Sequence, residues 1–356
     1  MRNTFHKDFR LQGNAFKSVE ELLLFSKSIS MDVAQFLENW FNESTIIEVK
    51  TSGSTGTPKL IQLQKKHMIN SAKATGEFFN LFENTTALLC ISVNFIAGKM
   101  MLVRAITLGW QIDVMEPSSG PLKHIEKEYD FSAMVPLQVT NSLQNIHKIK
   151  KLIVGGGVVS NDLLLKIQQL KTKLFATYGM TETVTHIAIK KLNNFDSVIS
   201  SAVEKSHYKT LPNIKISTDA RGCLIIDAPK ICDEKIVTND LVELLSESEF
   251  NWLGRFDTVI NSGGIKLIPE QIEEKLSEVI KQRFFVAGIP DAILGEKLIL
   301  VVEGIENDNL FENIKNMEFF SKYEMPKELF FVNSFLETDT QKINRKETLK
   351  LLKNIY

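Results

Sequence analysis

The chain has only three cysteines, Cys90, Cys223 and Cys232, too few and too scattered for a disulfide framework, and none stands at metal-ligand spacing from a histidine. Free thiols of this kind fit a reducing compartment, and a cytoplasmic location is expected. Neither charge is in surplus, with 42 Lys plus Arg against 43 Asp plus Glu. That balance argues against nucleic acid as a partner, because such a binder needs excess positive charge to displace counterions. A small anion held in a local pocket remains open. Long apolar runs are also lacking. The most apolar region, 87 to 110, is broken by Asn94, Lys99 and Arg104, so no membrane span is expected. The opening segment MRNTFHKDFRLQGNAF has no apolar core of a signal peptide. There is no Gly-x-Ser-x-Gly elbow, so His67, His186 and His207 read as structural rather than hydrolytic. What is present, 44% apolar and 24% charged residues in a chain of 356, suits a soluble globular protein of two or three domains.

Along the chain, residues 18 to 42 follow a helical period that opens with a capping box at Ser18 and Glu21. TIIEVK (45 to 50) reads as a strand, runs into TSGSTGTPK, and is followed by a helix at about 65 to 82. A second unit repeats the idea. KLIV (151 to 154) meets Gly155, Gly156 and Gly157 before a helix capped by Ser160, and KLFAT (173 to 177) leads to Tyr178-Gly179-Met180-Thr181-Glu182. Strands alternating with helices through glycine-rich turns predict an open α/β sheet with ligands at the carboxyl ends of the strands. Short strands with turns occupy about 211 to 253. After Gly254-Arg255-Phe256-Asp257 the pattern becomes a small α+β unit, with a helix from Pro269 and a last helix from about 344. The expectation is a large N-terminal α/β domain with mixed sheets (1–254), a hinge (255–258) and a small mobile C-terminal α+β domain (259–356).

The stretch Thr51 to Lys59 is the most informative. Gly53 and Gly56 let backbone N–H groups turn toward one point, Thr51, Ser52, Ser54 and Thr55 add rotatable hydroxyls, and Lys59 adds a cation. Such a concave set of donors suits a polyphosphate. It is not a Walker A loop, because that spacing is absent and Pro58 precedes the lysine. A flexible Ser/Gly linker is the plainer alternative, but linkers rarely separate a strand from an amphipathic helix.

This stretch resembles the signature loop of the adenylate-forming superfamily, which includes acyl-CoA synthetases, peptide-synthetase adenylation domains and firefly-type luciferases. Further motifs follow in the family's order: Tyr178 to Glu182 (YGMTE), Thr238-Asn239-Asp240 in place of Thr-Gly-Asp, Gly254 to Asp257, Ser262-Gly263-Gly264-Ile265-Lys266, Pro269 to Glu273, and Thr338 to Arg345 (TDTQKINR). The resemblance implies ATP, Mg²⁺ and coenzyme A as the small molecules used, with an acyl-adenylate as intermediate. It implies that Thr51 to Lys59 steer the β- and γ-phosphates, that Thr181 holds an α-phosphate oxygen, and that Glu182 binds Mg²⁺. Gly155, Gly156, Gly157, Tyr178 and Gly179 would frame the adenine, and Asp240 with Arg255 would hold the ribose. Lys342 would bridge carboxylate and α-phosphate. Asp257 would serve the hinge, and Ser262, Gly263, Gly264 and Lys266 the coenzyme A side.

For the acid, Ile96 to Gly98 and Met101 to Ile106 resemble the corresponding helix of o-succinylbenzoate–CoA ligases of menaquinone synthesis, as does YGMTETVTHIA. Such a substrate is a dicarboxylate, and the carboxylate that is not activated needs a cation or donors. Phe95, Gly98, Lys99 and Arg104 are the candidate pocket, with Arg104 or Lys99 supplying the charge. Three departures stand out. Much of the family's usual N-terminal portion is missing before residue 51, Asn239 replaces a glycine, and Gln341 stands where glycine commonly precedes the lysine. The competing readings are a ligase for another aryl or acyl acid, an enzyme that charges a carrier protein, and a non-catalytic AMP-binding homologue. The sequence leaves room for a homodimer.

Overall fold

A computed structural model describes residues 4–50, 59–193, 206–306, 308–316, 320–337 and 343–352. The chain opens with a two-residue strand, β1 (Arg10–Leu11), and two helices, α1 (Val19–Lys27) and α2 (Met31–Phe41). The single helical run expected from 18 to 42 is therefore broken. Ser28 closes α1 by sending its backbone N–H to Phe25, and Ser30 begins α2 in extended conformation. Only half of the expected capping box forms: the Ser18 hydroxyl accepts from the Glu21 N–H at 3.2 Å, while the Glu21 carboxylate takes the N–H of Lys17.

An antiparallel pair, β2 (Ile46–Lys50) and β3 (Leu60–Gln64), comes next. It is followed by α3 (Lys65–Phe79), β4 (Thr86–Leu89), α4 (Ile96–Leu108), β5 (Gln111–Val114), β6 (Tyr129–Met134), α5 (Pro136–Ser142), β7 (Ile149–Val154), α6 (Asn161–Ile167) and β8 (Lys173–Gly179). Strands then dominate: β9 (His186–Lys191), β10 (Tyr208–Thr210), β11 (Lys215–Thr218), β12 (Cys223–Asp227), β13 (Ile236–Leu244) and β14 (Glu249–Arg255). These build one 12-stranded sheet in the order β1-β5-β4-β6-β7-β8-β9-β10-β14-β13-β12-β11. Pairing is parallel from β1 to β8 and antiparallel from β8 onward, so β8 is the seam between two halves.

The parallel half is covered on both faces, so its central strands send apolar side chains to both sides. On β6, Phe131 and Ala133 enter one core with α3 and α4, while Met134 enters another with α5 and α6. On β7, Ile153 faces the first core and Leu152 and Val154 the second. This two-residue alternation fixes register, since a slip by one residue would send each side chain to the wrong layer.

Past residue 258 a separate five-stranded sheet forms from β15 (Ile260–Ser262), β16 (Ile265–Leu267), β17 (Phe284–Asp291), β18 (Gly295–Glu303) and β19 (Glu328–Val332). Helices α7 (Pro269–Leu276) and α8 (Asp308–Lys315) pack on the face of Leu298, Leu300 and Val302, while α9 (Arg345–Leu352) supplies Leu352 to the face of Ile299 and Val301. Among the described residues no helix is long and apolar enough to cross a membrane, and all three cysteines are free.

One ion pair ties α9 to α7. Arg345 Nη2 donates to Glu273 Oε2 at 2.8 Å, and Glu273 Oε1 accepts the Val286 N–H at 2.9 Å. Burial pushes the Glu273 carboxyl up to about 7 even though Arg345 pulls it down. A carboxyl whose folded pKa is raised holds its proton in the native state after the unfolded chain has lost it. The contribution of Glu273 to stability therefore falls as pH climbs from its ordinary 4.5 through about 7. Thermal melts across that window should show the wild type losing stability relative to Glu273→Gln as pH rises. A relative gain with rising pH would contradict the placement.

Candidate active site

The register of the parallel strands brings three chain segments to one edge. Met134 lies beside Val154, and Val154 beside Ala176. The residues immediately beyond, Gly155 to Gly157 and Thr177 to Glu182, consequently line the same rim. Gly155 donates its N–H to the Met134 carbonyl at 3.1 Å, and the Thr177 hydroxyl donates to Val154 at 3.2 Å. Such a rim at the carboxyl ends of parallel strands is where open α/β sheets hold ligands.

The predicted turn at Tyr178 begins later than expected, because β8 carries through Gly179. Gly179 is needed there, since a Cβ would collide with the Thr185 carbonyl. A 3-10 turn at Thr181–Thr183 follows. The Thr183 hydroxyl accepts from the Met180 N–H at 3.0 Å and donates to the Thr185 carbonyl at 2.7 Å. Val184 closes the turn at φ 66° and ψ −57°, and the Thr185 N–H reaches the Thr183 carbonyl at 2.7 Å. This is a γ-turn in a conformation that β-branched residues rarely adopt, at a cost on the order of 1–3 kcal/mol. Val184 is fully buried, so core packing offsets the strain and holds Thr181 and Glu182 at the rim. Glu182 is exposed there, and residues of β3 lie within 8 Å (Cα–Cα) of the turn. Lys59 directly precedes β3. The candidate residues Thr51, Ser52, Gly53, Ser54, Thr55, Gly56 and Lys342 lie outside the described residues.

The second half of the sheet delivers Asp240. Its Oδ2 accepts the Tyr178 hydroxyl at 2.6 Å, its Oδ1 accepts Trp252 Nε1 at 3.2 Å, and Arg255 Nη1 stands 3.7 Å from Oδ1. Asp240 is paired with Arg255 across the β13–β14 ladder, which explains that proximity. Burial, then the neighbouring carboxylate, raises the Tyr178 phenol well above its ordinary value, so it remains a donor. Arg255 also donates from Nε to Asp257 at 3.0 Å, and Asp257 is exposed. Trp252 was not singled out from the sequence. The signal was available, because a tight hairpin across SESE places Trp252 opposite Val242, two residues from Asp240.

The two candidate cations of α4 have different surroundings. Lys99 donates to the Val93 carbonyl at 2.5 Å, lies over the Phe36 ring, and lines a polar cleft of about 330 Å³ with Asp32 and Asn94. Arg104 is 1% exposed. Its Nε is 3.3 Å from Thr75 Oγ1, its Nη2 3.5 Å from Thr185 Oγ1, and its Nη1 faces Met101 Sδ at 3.7 Å. Among the described residues no carboxylate pairs with it. Burial lowers its pKa to about 9, which leaves it charged at neutral pH. His186 Nε2 shares Thr75 Oγ1 at 3.3 Å, and burial, then Arg104, pushes the imidazole well below its ordinary value, so it is neutral. Gly98 is buried in the first turn of α4, and Phe95 before it is 45% exposed.

Ser262 to Lys266 form the β15–β16 hairpin, with Gly263 and Gly264 at φ 59° and 82° as its two turn residues. Lys266 is exposed.

The AMP-binding enzyme family matches residues 45–217. An acyl-CoA synthetase (AMP-forming)/AMP-acid ligase II-like protein from Dyadobacter fermentans is 37% identical, with a TM-score of 0.59, over 91% of this chain and 95% of that one. The 2-succinylbenzoate–CoA ligase of Lactococcus lactis is 24% identical over 86% of this chain and 71% of its own length. The fold matches o-succinylbenzoate coenzyme A synthetase of Bacillus subtilis, solved with ATP and magnesium, at a TM-score of 0.72 and 19% identity, covering 93% of this chain and 82% of that one.

Trp252 Nε1 sits on Asp240 Oδ1, so a nucleotide hydroxyl that takes this oxygen comes against the indole and shifts or displaces it. Titration with AMP should change tryptophan emission in the wild type and leave it nearly unchanged in Trp252→Phe. An equal change in both proteins would place the nucleotide elsewhere.

Proposed function

The chain belongs to the AMP-binding enzymes, the AMP-forming acyl-CoA synthetases, and on that footing we propose that it joins 2-succinylbenzoate to coenzyme A. The observation that carries the substrate is Arg104. A fully buried guanidinium with no carboxylate partner among the described residues is costly, and a dicarboxylic acid supplies an anion when it binds. Thr75 and Thr185 ring the same spot and can donate to the incoming carboxylate once their hydroxyls rotate. A planar, forked cation is well matched to a carboxylate. Lys99, committed to Val93 and Phe36, is the weaker choice.

The reaction has two steps. A carboxylate is a poor acyl donor because oxide is a poor leaving group. One carboxylate oxygen of the acid attacks the α-phosphorus of ATP, forming a P–O bond as the bond to pyrophosphate breaks. The thiolate of coenzyme A then attacks the acyl carbon, and AMP departs with the electron pair of the C–O bond. The protein's part in the first step is to bring two anions together and stabilise charge on phosphorus. Gly155 to Gly157 and Tyr178 frame the adenine, Asp240 and Arg255 take the ribose, and Thr181 holds an α-phosphate oxygen. Thr51 to Lys59 steer the outer phosphates, and Lys342 bridges the two reacting groups. Glu182 suits Mg²⁺ brought in with ATP: that ion keeps most of its waters and needs only one or two carboxylates beside the phosphates, and Glu182 presents one from an exposed turn. When bound, the ion neutralises phosphate charge.

For the second step the part of the chain after 255–258 swings about that turn, withdrawing Lys342 and presenting the Ser262–Lys266 hairpin to the thiol. Two sheets with separate cores support such a movement, since neither core need open.

Pyrophosphate release should be strongest with 2-succinylbenzoate in a panel of aromatic mono- and dicarboxylic acids. Replacing Arg104 by Leu should raise KM for that acid by about a hundredfold, the scale of a lost charged hydrogen-bond pair, while KM for ATP stays within about twofold. A preference for monocarboxylic acids, or an unaltered KM, would overturn the substrate assignment. Lys342→Ala should abolish adenylate formation and largely spare attack of coenzyme A on preformed adenylate, as stopped assays of each half-reaction would read. Equal loss of both would contradict its role.

A further inference from the structure

One guanidinium outside the motifs joins three segments that close around Asp240. Arg221 lies in the turn between β11 and β12. Its Nε donates to Asp219 Oδ2 at 2.8 Å, its Nη1 to Asn239 Oδ1 at 3.0 Å, and its Nη2 to the Thr238 carbonyl at 3.1 Å. Its face covers the Phe256 ring, with Cζ 5.1 Å from the ring centre. Asp219 is itself held, because its Oδ1 accepts the N–H groups of Arg221 and Cys223 at 2.8 and 3.0 Å. The clamp is therefore built from a fixed turn outward.

Its targets are not arbitrary. Thr238 and Asn239 directly precede Asp240, and the Thr238 hydroxyl accepts the Asp240 N–H at 3.0 Å. Phe256 follows Arg255 and precedes Asp257, where the chain leaves the large sheet. An exposed Asp–Arg pair inside one turn would add little by itself. The consequence lies in the other donors of the fork, which set the backbone that aims Asp240. The glycine expected at 239 has no side chain to receive Nη1, so asparagine at this position and arginine at 221 form a matched pair.

We propose that Arg221 is a positioning residue for the nucleotide, acting through Thr238 and Asn239 to hold the Asp240 carboxylate where the ribose hydroxyls meet it. This rests on the reading that Asp240 binds the ribose; it is independent of which acid is activated. Lysine at 221 keeps the charge near Asp219 but has no planar fork to reach Asn239 and Thr238 together. Small displacements of a binding group weaken it steeply.

The test measures AMP affinity by calorimetry and KM for ATP in pyrophosphate release for Arg221→Lys, Asn239→Ala and the double variant. Both single variants should weaken AMP and raise KM for ATP on the order of tenfold, a loss typical of a charged hydrogen bond. KM for the acid should hold within about twofold, and the double variant should be no worse than the poorer single one. Unchanged AMP affinity in folded variants, KM values for ATP and acid rising together, or fully additive losses would each overturn it. If no dicarboxylic acid is activated yet AMP affinity follows Arg221, the positioning role stands and the substrate assignment falls.

Discussion

A carboxylate sunk into a sheet must find donors, and the way Asp240 finds them organises this molecule. Its oxygens take the Tyr178 hydroxyl from the end of β8, the Trp252 indole from β14, and the approach of Arg255 from the same strand. Tyr178 belongs to the seam strand, where parallel pairing gives way to antiparallel. Asp240 belongs to the antiparallel half. One hydrogen bond of 2.6 Å thus joins the two halves of the 12-stranded sheet at the rim where Gly155 to Gly157 and Thr181 to Glu182 gather. Under the proposed reading, ribose hydroxyls would take the place of the Trp252 indole on Asp240, so binding exchanges one hydrogen bond for others at modest net cost.

Around that point the fold keeps its strain and its buried charge close together. Val184 is held in a γ-turn by the core beneath it, and Arg104 is buried a short step away beside Thr185. Thr185 is common to both, since its carbonyl receives the Thr183 hydroxyl and its own hydroxyl meets the guanidinium. The turn that carries Thr181 and Glu182 is thereby tied to the pocket proposed for the acid.

Much of the fold was legible because its signals are local. The glycine-rich break after KLIV and the serine cap at 160 depend on neighbours in sequence. The break between α1 and α2 was missed because two serines can end and begin helices without glycine or proline. Motif order located Tyr178 and Asp240 separately; their hydrogen bond needed the sheet order. Trp252, Arg221, Thr75 and the pairing of Asn239 stayed hidden because each is defined by a partner on another element. Arg104 could be named as a candidate cation, but its burial, with no carboxylate partner among the described residues, was knowable only from the packed structure.

In the proposed reading, one region of the molecule holds the nucleotide at Asp240 and a second carboxylate at Arg104. The most direct measurement is a crystal structure with a non-hydrolysable analogue of the 2-succinylbenzoyl-adenylate. Ribose hydroxyls should lie on the Asp240 carboxylate, with the Trp252 indole displaced, and the free carboxylate of the acid on the Arg104 guanidinium. A ribose bound away from Asp240, or a free carboxylate lodged elsewhere with Arg104 still unpaired, would contradict it.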